Sequence, residues 1–149
     1  PLIGEPTNSK RLEELGDQGV LALVCDSTNA LSEGQSGSEQ AVREELNRLI
    51  SDYPEHRLTV ACFASNIARL ETIALAAASQ GRKVALVGRS LQRMVNAAQY
   101  AGYLKKLPSF ISDEEAVDLP AHKVLLITTG SQGEARSALA RIANLQHPC

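Results

Sequence analysis

The chain has 149 residues, a net charge of −2 and an apolar fraction of 44%, which together indicate one globular domain with a buried core. Aromatic residues make up only 3% of the sequence and Trp is absent, so a large base-stacking platform for single-stranded nucleic acid is not expected. The charge balance excludes a basic footprint over the whole domain, so any contact with RNA or phosphate would be local.

The cysteines and the apolar runs indicate the cellular setting. Cys25, Cys62 and Cys149 are odd in number, widely spaced and without metal-binding spacing, which favours a reduced, cytoplasmic protein. No run approaches the roughly 18 apolar residues of a membrane-spanning helix, and no membrane partner is expected. The chain begins without Met and ends just after a helical pattern, so we expect a fragment of a longer protein.

The first predicted elements are a short helix and a buried strand. Residues 10–15 form a helical pattern that Asn8 or Ser9 can cap and Gly16 can end. Residues 19–25 form a continuous apolar run, which is typical of a strand covered on both faces in a parallel sheet. We interpret this run as the first strand, around which the sheet is organised.

The next predicted helix begins at a capping box. Ser36-x-x-Glu39 has the capping-box pattern, and the residues after it place one apolar stripe along a helix that ends at Pro54. This stripe consists of Val42, Leu46, Leu49, Ile50 and Tyr53.

The remainder of the chain alternates strands with helices. Strands are predicted at residues 58–63, 83–87 and 123–128, and residues 107–111 are ambiguous between a loop and an edge strand. Further capping boxes are predicted at Ser112-x-x-Glu115 and Ser131-x-x-Glu134. The alternation predicts an α/β fold, a doubly wound, mostly parallel sheet with helices on both faces.

Polar side chains follow each predicted strand, at the edge where open α/β sheets bind ligands. Hydroxyls, amides, glycines and helix N-termini suit a phosphate or sugar–phosphate group, but the same residues also cap helices for structural reasons alone. The candidates are Asp26, Ser65, Asn66, Arg89, Ser90 and Ser131.

Asp26 has two interpretations, and the three histidines have one. Asp26 is either a functional carboxylate at the ligand edge or the acceptor of an Asx-type turn. His56, His122 and His147 lie in or beside loops without a second ligand at metal spacing, so no metal site is assigned.

Four motifs in order resemble bacterial ribonuclease J, a metallo-β-lactamase-fold nuclease with an inserted β-CASP domain. They are LVCDSTNA at 23–30, FASNIARL at 63–70, GRKVALVGRS at 81–90 and TGSQGE at 129–134. The resemblance covers nearly the whole chain. It implies that residues 1–18 lead out of the metallo-β-lactamase domain and that residues 19–149 are a C-terminally truncated β-CASP domain.

The resemblance also implies a function for the parent protein. The parent would be a zinc-dependent 5′-to-3′ exonuclease and endonuclease of RNA processing and decay. Its partners would be RNA and its own metallo-β-lactamase domain, and it could assemble as a homodimer or tetramer. The HxHxDH metal motif of the family is absent here, so zinc would be bound outside this chain, which is expected to be inactive alone and to hold no cofactor. The HxSGH segment, which in the family helps to bind the RNA 5′ phosphate, is also absent.

Site roles follow from the resemblance in the same way. Asp26 matches the acidic residue of the β-CASP motif A at the edge of the active site. Ser65 matches a serine near the pocket for the RNA 5′ phosphate, and Asn66 extends this match by one residue. Together with the strand-end argument, RNA or 5′-phosphate binding is assigned to Ser65, Asn66, Arg89, Ser90 and Ser131.

Two other classes of protein remain as alternatives. A receiver-like signalling domain would use Asp26 as its phospho-acceptor, but the acidic cluster and late-strand Lys of that class are missing. A stand-alone nucleotide- or phosphate-binding domain would need a GxGxxG or Walker A sequence, and neither is present.

Overall fold

The computed structural model describes residues 5–34 and 37–149. Within these residues, six α-helices, a short 3₁₀-helix and three strands alternate along the chain. In order they are α1 (Ser9–Gln18), α2 (Glu39–Asp52), β1 (Leu58–Ala61), α3 (Ile67–Ser79), β2 (Lys83–Val87), α4 (Arg89–Tyr100), α5 (Asp113–Val117), the 3₁₀-helix (Ala121–Lys123), β3 (Val124–Thr128) and α6 (Ala138–Ala143).

The three strands form one parallel sheet in the order β1-β3-β2. β3 is buried along its whole length, because it lies between two neighbours and is covered on both faces. Ile111 forms a single parallel bridge with Ala85 on β2. The ambiguous segment at 107–111 forms no further part of an edge strand. The all-parallel sheet confirms the predicted α/β class.

Helices pack on both faces of the sheet. One apolar cluster joins α2, α3 and α4 to the sheet, with Leu70, Ile73 and Leu91 fully buried. A smaller cluster on the opposite face joins α5 and α6 to Val87 and Leu126. The connection from β1 to β2 thus packs on one face, and the chain changes face before it returns to β3, as in a doubly wound sheet.

Two of the predicted helix starts are confirmed, at Asn8 and at Ser112. The Asn8 side chain caps α1, and Asn66 Oδ1 accepts a hydrogen bond from the Arg69 N–H at 3.0 Å at the start of α3. Ser112 and Glu115 form the predicted capping box of α5. These bonds satisfy N–H groups that the first turn of a helix leaves free.

The predicted first strand is wrong for the described structure. Residues 19–25 form no strand, and their side chains are exposed, with Val24 97% accessible. A strand requires a neighbour for its N–H and C=O groups, and the described residues offer none beside this run. The apolar composition alone therefore does not make it part of this sheet.

The capping box at Ser131 and Glu134 is also wrong. Gly130 and Gly133 both take positive φ angles, so residues 130–133 form a turn, and α6 begins only at Ala138 with Ser137 as its cap. Glu134 Oε2 instead accepts a hydrogen bond from the Gln132 N–H at 3.1 Å.

The start and stripe of α2 differ in part from the prediction. Ser36 lies outside the described residues, and the observed cap is Ser38, whose Oγ accepts from the Ala41 N–H at 3.1 Å. Leu49 and Tyr53 are exposed, while Ile50 is buried. Among the described residues, no helix has the length and apolar character needed to cross a membrane.

Candidate functional site

The carboxyl ends of the three strands meet at one edge of the sheet. This carboxyl edge consists of residues 61–65, 87–90 and 128–131, which follow β1, β2 and β3. Two adjoining cavities open there, with volumes of about 690 Å³ and 390 Å³, and Ser90 and Thr129 line both. The edge is thus concave, as expected where an open parallel sheet binds a ligand.

Arginines dominate the larger cavity. Arg89 and Arg93 of α4, Arg136 before α6 and Arg141 of α6 all line it, and we call it the arginine groove. The acidic residue in its lining is Asp113, whose Oδ2 lies 3.1 Å from Nε2 of His147. Four guanidinium groups against one carboxylate make this groove strongly cationic in a domain whose net charge is −2.

The start of α4 forms one wall of the arginine groove. Gly88 is its N-cap with φ +125, and no side chain caps this end, so the first N–H groups of α4 remain available to an anion. A Cβ on Gly88 would lie 3.5 Å from Thr129 Oγ1. The β2–α4 turn therefore packs closely against the end of β3.

Backbone hydrogen bonds hold α6 against the end of β3. The Leu139 N–H donates to the Thr129 carbonyl at 3.0 Å, and the Ala138 N–H donates to Thr129 Oγ1 at 3.3 Å. These bonds fix α6, and therefore Arg141, relative to β3. The arginines of the groove therefore come from α4, from the segment before α6 and from α6 itself, all of which are anchored to the sheet.

The smaller cavity lies between the ends of β1 and β3. Cys62, Phe63, Glu134 and Arg136 are among the residues that line it. Burial raises the pKa of the Cys62 thiol, so the sulfur stays protonated near neutral pH and is a poor nucleophile. Phe63 is half exposed and contributes an apolar ring to the lining of this cavity.

Comparison with known proteins decides the family. The family model described as "Ribonuclease J, beta-CASP domain" matches residues 55–149. This chain belongs to the ribonuclease J β-CASP family. The result confirms the resemblance found in the four sequence motifs and favours it over the receiver-like and nucleotide-binding alternatives.

Curated relatives match almost the full chain. Ribonuclease J of Sinorhizobium meliloti is 46% identical over 96% of this chain, and ribonuclease J of Corynebacterium glutamicum is 45% identical over 99%. Ribonuclease J2 of Bacillus subtilis is 38% identical over 99%. The chain spans 25%, 20% and 26% of these relatives' lengths, respectively, so the relatives carry further domains.

The β-CASP domain brings two of the predicted site residues into the arginine groove. Arg89 and Ser90 line it, at the start of α4. Ser65 and Ser131 are exposed on the turns after β1 and β3, at the same edge but outside the linings of the two cavities. Asn66 is engaged as the cap of α3. Their roles in RNA binding stay predictions.

Asp26 is not among the residues that line the two cavities. It is exposed in the segment that follows α1, and its Oδ1 accepts a hydrogen bond from the Thr28 N–H at 2.8 Å. This is the Asx-type turn that the sequence left open as an alternative. The bond from Thr28 lowers the pKa of Asp26 below its ordinary value, so the carboxylate is ionised at neutral pH.

Metal ligands are not clustered in the part of the chain that the structure describes. Within residues 5–34 and 37–149, no group of three or more His, Cys, Asp or Glu side chains could hold a metal ion. The paired side chains of His147 and Asp113 could supply two metal ligands. Among the described residues, no third ligand is grouped with them.

Sequence reasoning missed Arg93, Arg136 and Arg141. Arg93 follows Arg89 by four residues, which places both on one face of a helix, and this spacing is a signal that the sequence contains. Arg136 and Arg141 lie on either side of the start of α6, and the expected helix boundary there was wrong. Their convergence depends on the fold and could not be found from spacing alone.

Proposed function

We propose that this chain is the RNA-binding β-CASP domain of a ribonuclease J-like enzyme that shortens and cuts RNA in processing and decay. The arginine groove carries the proposal. Arg89, Arg93, Arg136 and Arg141 line it together with a helix N-terminus, and this combination suits the phosphates of a nucleic acid backbone.

Hydrolysis itself would depend on the rest of the protein. Zinc, when bound by residues outside this chain, would activate the attacking water. The described residues of this chain offer no ligand set for it, so the chain alone is proposed to bind RNA without cutting it. Its contribution would be to hold the phosphate backbone in register against the domain that bears the metal.

Partners and location follow from the same proposal. The metallo-β-lactamase domain of the same protein would face the carboxyl edge, and two or four copies of the parent could associate. Cys25, Cys62 and Cys149 are all free, which is consistent with the reducing cytoplasm. Asp26, ionised and exposed, would act at the border between the two domains.

A salt titration of RNA affinity tests the groove. In the full-length protein, Arg93→Gln with Arg136→Gln should weaken binding of single-stranded RNA. It should also reduce the slope of log K against log salt by about 0.7 for each phosphate that the variant no longer neutralises. Arg48→Gln is the matched control, because Arg48 is exposed on α2 and already pairs with Glu45 and Asp52. An unchanged slope in the groove variant would contradict the proposal.

Turnover and end preference test the individual residues. Asp26→Asn should lower turnover much more than RNA affinity, because the proposal assigns this carboxylate to the reaction and not to the RNA backbone. Ser65→Ala should weaken the preference for RNA with a 5′ monophosphate over a 5′ hydroxyl. Loss of affinity at normal turnover for Asp26→Asn, or an unchanged end preference for Ser65→Ala, would reverse the corresponding assignment.

A further inference from the structure

The end of α4 and the loop after it carry an unusual set of exposed side chains. Tyr100 is 96% exposed and Tyr103 is 47% exposed, and Lys105 and Lys106 are exposed beside them. We call these four residues the tyrosine patch. They include two of the three tyrosines of a chain that has only 3% aromatic residues.

The loop that presents the tyrosine patch is held in one conformation. The Tyr103 N–H donates to the Ala98 carbonyl at 2.8 Å, which closes the end of α4. Leu104 is 5% exposed and packs in the larger apolar cluster, with Leu107 beside it. Leu104 also has φ +58, a strained angle for a non-glycine residue. The backbone that carries the two rings is therefore already ordered, and binding would not have to pay the cost of ordering this loop.

Charge around the patch favours an anionic partner. Residues 72–112 contain no Asp or Glu, although the chain as a whole is acidic. The basic residues of this span are Arg82, Lys83, Arg89, Arg93, Lys105 and Lys106. The Lys105 ammonium lies over the helix end, 3.3 Å from where a Cβ on Gly102 would be, so positive charge lies close to the chain between the two tyrosines.

The exposed face of α4 connects the patch to the arginine groove. Arg89, Arg93, Asn96 and Tyr100 are all exposed and follow one another at spacings of four, three and four residues, which places them on one side of the helix. Eleven residues of α-helix span about 16 Å. That length corresponds to about five stacked nucleotides at 3.4 Å each.

We propose that the tyrosine patch is a second binding site for single-stranded RNA, on which bases stack after the strand has passed along α4 from the arginine groove. Aromatic rings bind bases of any sequence and lysines bind the adjoining phosphates. The inference rests on the proposed function, because the strand would enter from the groove. It adds a site at the opposite end of α4 and predicts that affinity depends on RNA length.

RNA length separates the two sites in an experiment. Affinities of the full-length protein are measured for a 15-nucleotide and a 4-nucleotide oligouridine, with metal chelated so that neither is cut. Tyr100→Ala with Tyr103→Ala should weaken binding of the 15-mer by about thirtyfold or more, as expected for losing base stacking on two rings, and leave the 4-mer unchanged. Tyr100→Phe with Tyr103→Phe should retain wild-type affinity for both. Tyr53→Ala, which removes the third tyrosine, is the control.

The outcomes distinguish this inference from the proposed function. If the groove variant Arg93→Gln, Arg136→Gln weakens both RNAs while the Tyr→Ala pair changes neither, the groove stands and the patch is not an RNA site. If the Tyr→Ala pair instead dissociates an oligomer of the protein in sedimentation, the patch is a protein interface and the inference is wrong. If the groove variant binds both RNAs normally, the proposed function fails first.

Discussion

Arg69 holds Glu39 through two parallel hydrogen bonds, Nε to Oε1 at 2.7 Å and Nη2 to Oε2 at 3.1 Å. The pair joins the first turn of α2 to the first turn of α3, and both side chains are partly buried. Such two-point contact fixes the geometry as well as the charge. It therefore locks α2 onto the helix that starts at the carboxyl edge.

The Glu39–Arg69 pair should make stability depend on pH. The hydrogen bond from Arg69 lowers the pKa of Glu39 below its ordinary value of 4.5. A lowered folded-state pKa means that the stabilisation is present above the unfolded-state value and is lost as the pH falls through the folded-state value. Glu39→Gln should cost about 1–2 kcal/mol at pH 7, and urea unfolding should show this difference shrinking in acid.

Glu45→Gln is the control for this measurement. Glu45 lies on the same helix and pairs with Arg48, but the pair is exposed and screened by solvent. Its substitution should change unfolding far less than Glu39→Gln does. A Glu39→Gln cost that stayed constant from pH 7 into acid would contradict a role for the ionised carboxylate.

Gly130 is predicted to be intolerant of any side chain. It has φ +122, and a Cβ there would lie 2.5 Å from Ser137 Oγ and 2.8 Å from Leu139 Cβ. Gly130→Ala should therefore push α6 away from β3, with a cost of about 2–4 kcal/mol in unfolding. It should also weaken RNA binding, because Arg136 and Arg141 move with α6.

Gly133→Ala provides the matched comparison three residues later. Gly133 also has a positive φ of +76, but no atom lies within 4 Å of its Cβ position. Only backbone strain remains, so the expected cost is about 1 kcal/mol. Equal unfolding midpoints for the two alanine variants would show that crowding at Gly130 is relieved without displacing α6.

Arg82 is predicted to be a structural residue despite its charge. It is 5% exposed and donates to the carbonyls of Tyr53 and His56, each at 2.6 Å. Arg82→Met should cost about 3 kcal/mol, because these acceptors lose a charged donor. Thermal or urea unfolding measures the loss, and Lys83→Met, at the exposed next position, should be nearly neutral. Near-neutral behaviour of Arg82→Met would mean that water replaces the guanidinium.

The buried half of the fold could be predicted from the sequence because its signals are local and mutually consistent. Residues 83–87 and 123–128 are apolar runs followed by turn residues, and both became strands of the sheet with a one-residue difference at the start of β3. Asn8 and Ser112 indicated the starts of their helices in the same way. For each of these strands and helix starts, the groups that accept or donate its hydrogen bonds belong to this chain.

The same reasoning failed where the partner is not local. Residues 19–25 carry the signal of a buried strand, but pairing requires a neighbour that composition does not reveal. The arginine groove was only partly anticipated, through Arg89, because Arg136 and Arg141 reach it through the packing of α6 on β3. Side-chain convergence from separate elements is a property of the packed sheet, not of sequence spacing.

The exposed apolar run leads to a prediction about the full-length protein. Leu21, Leu23 and Val24 are exposed in this chain, and exposed apolar runs of this kind mark surfaces that another element covers. We expect residues 20–24 to pair with a strand from the remainder of the protein. Their backbone amides should then exchange rapidly in the 149-residue chain and slowly in the full-length protein.

A substitution checks the same pairing energetically. Leu21→Lys with Val24→Lys should leave unfolding of the 149-residue chain within about 0.5 kcal/mol of the original, because neither side chain is buried there. In the full-length protein, the same pair should cost several kcal/mol, because the predicted strand is covered on both faces and each face would receive one charge. Leu126→Ala, inside β3, should destabilise both proteins by about 2–5 kcal/mol. Amides 20–24 that exchange equally fast in both proteins would show that this run remains uncovered.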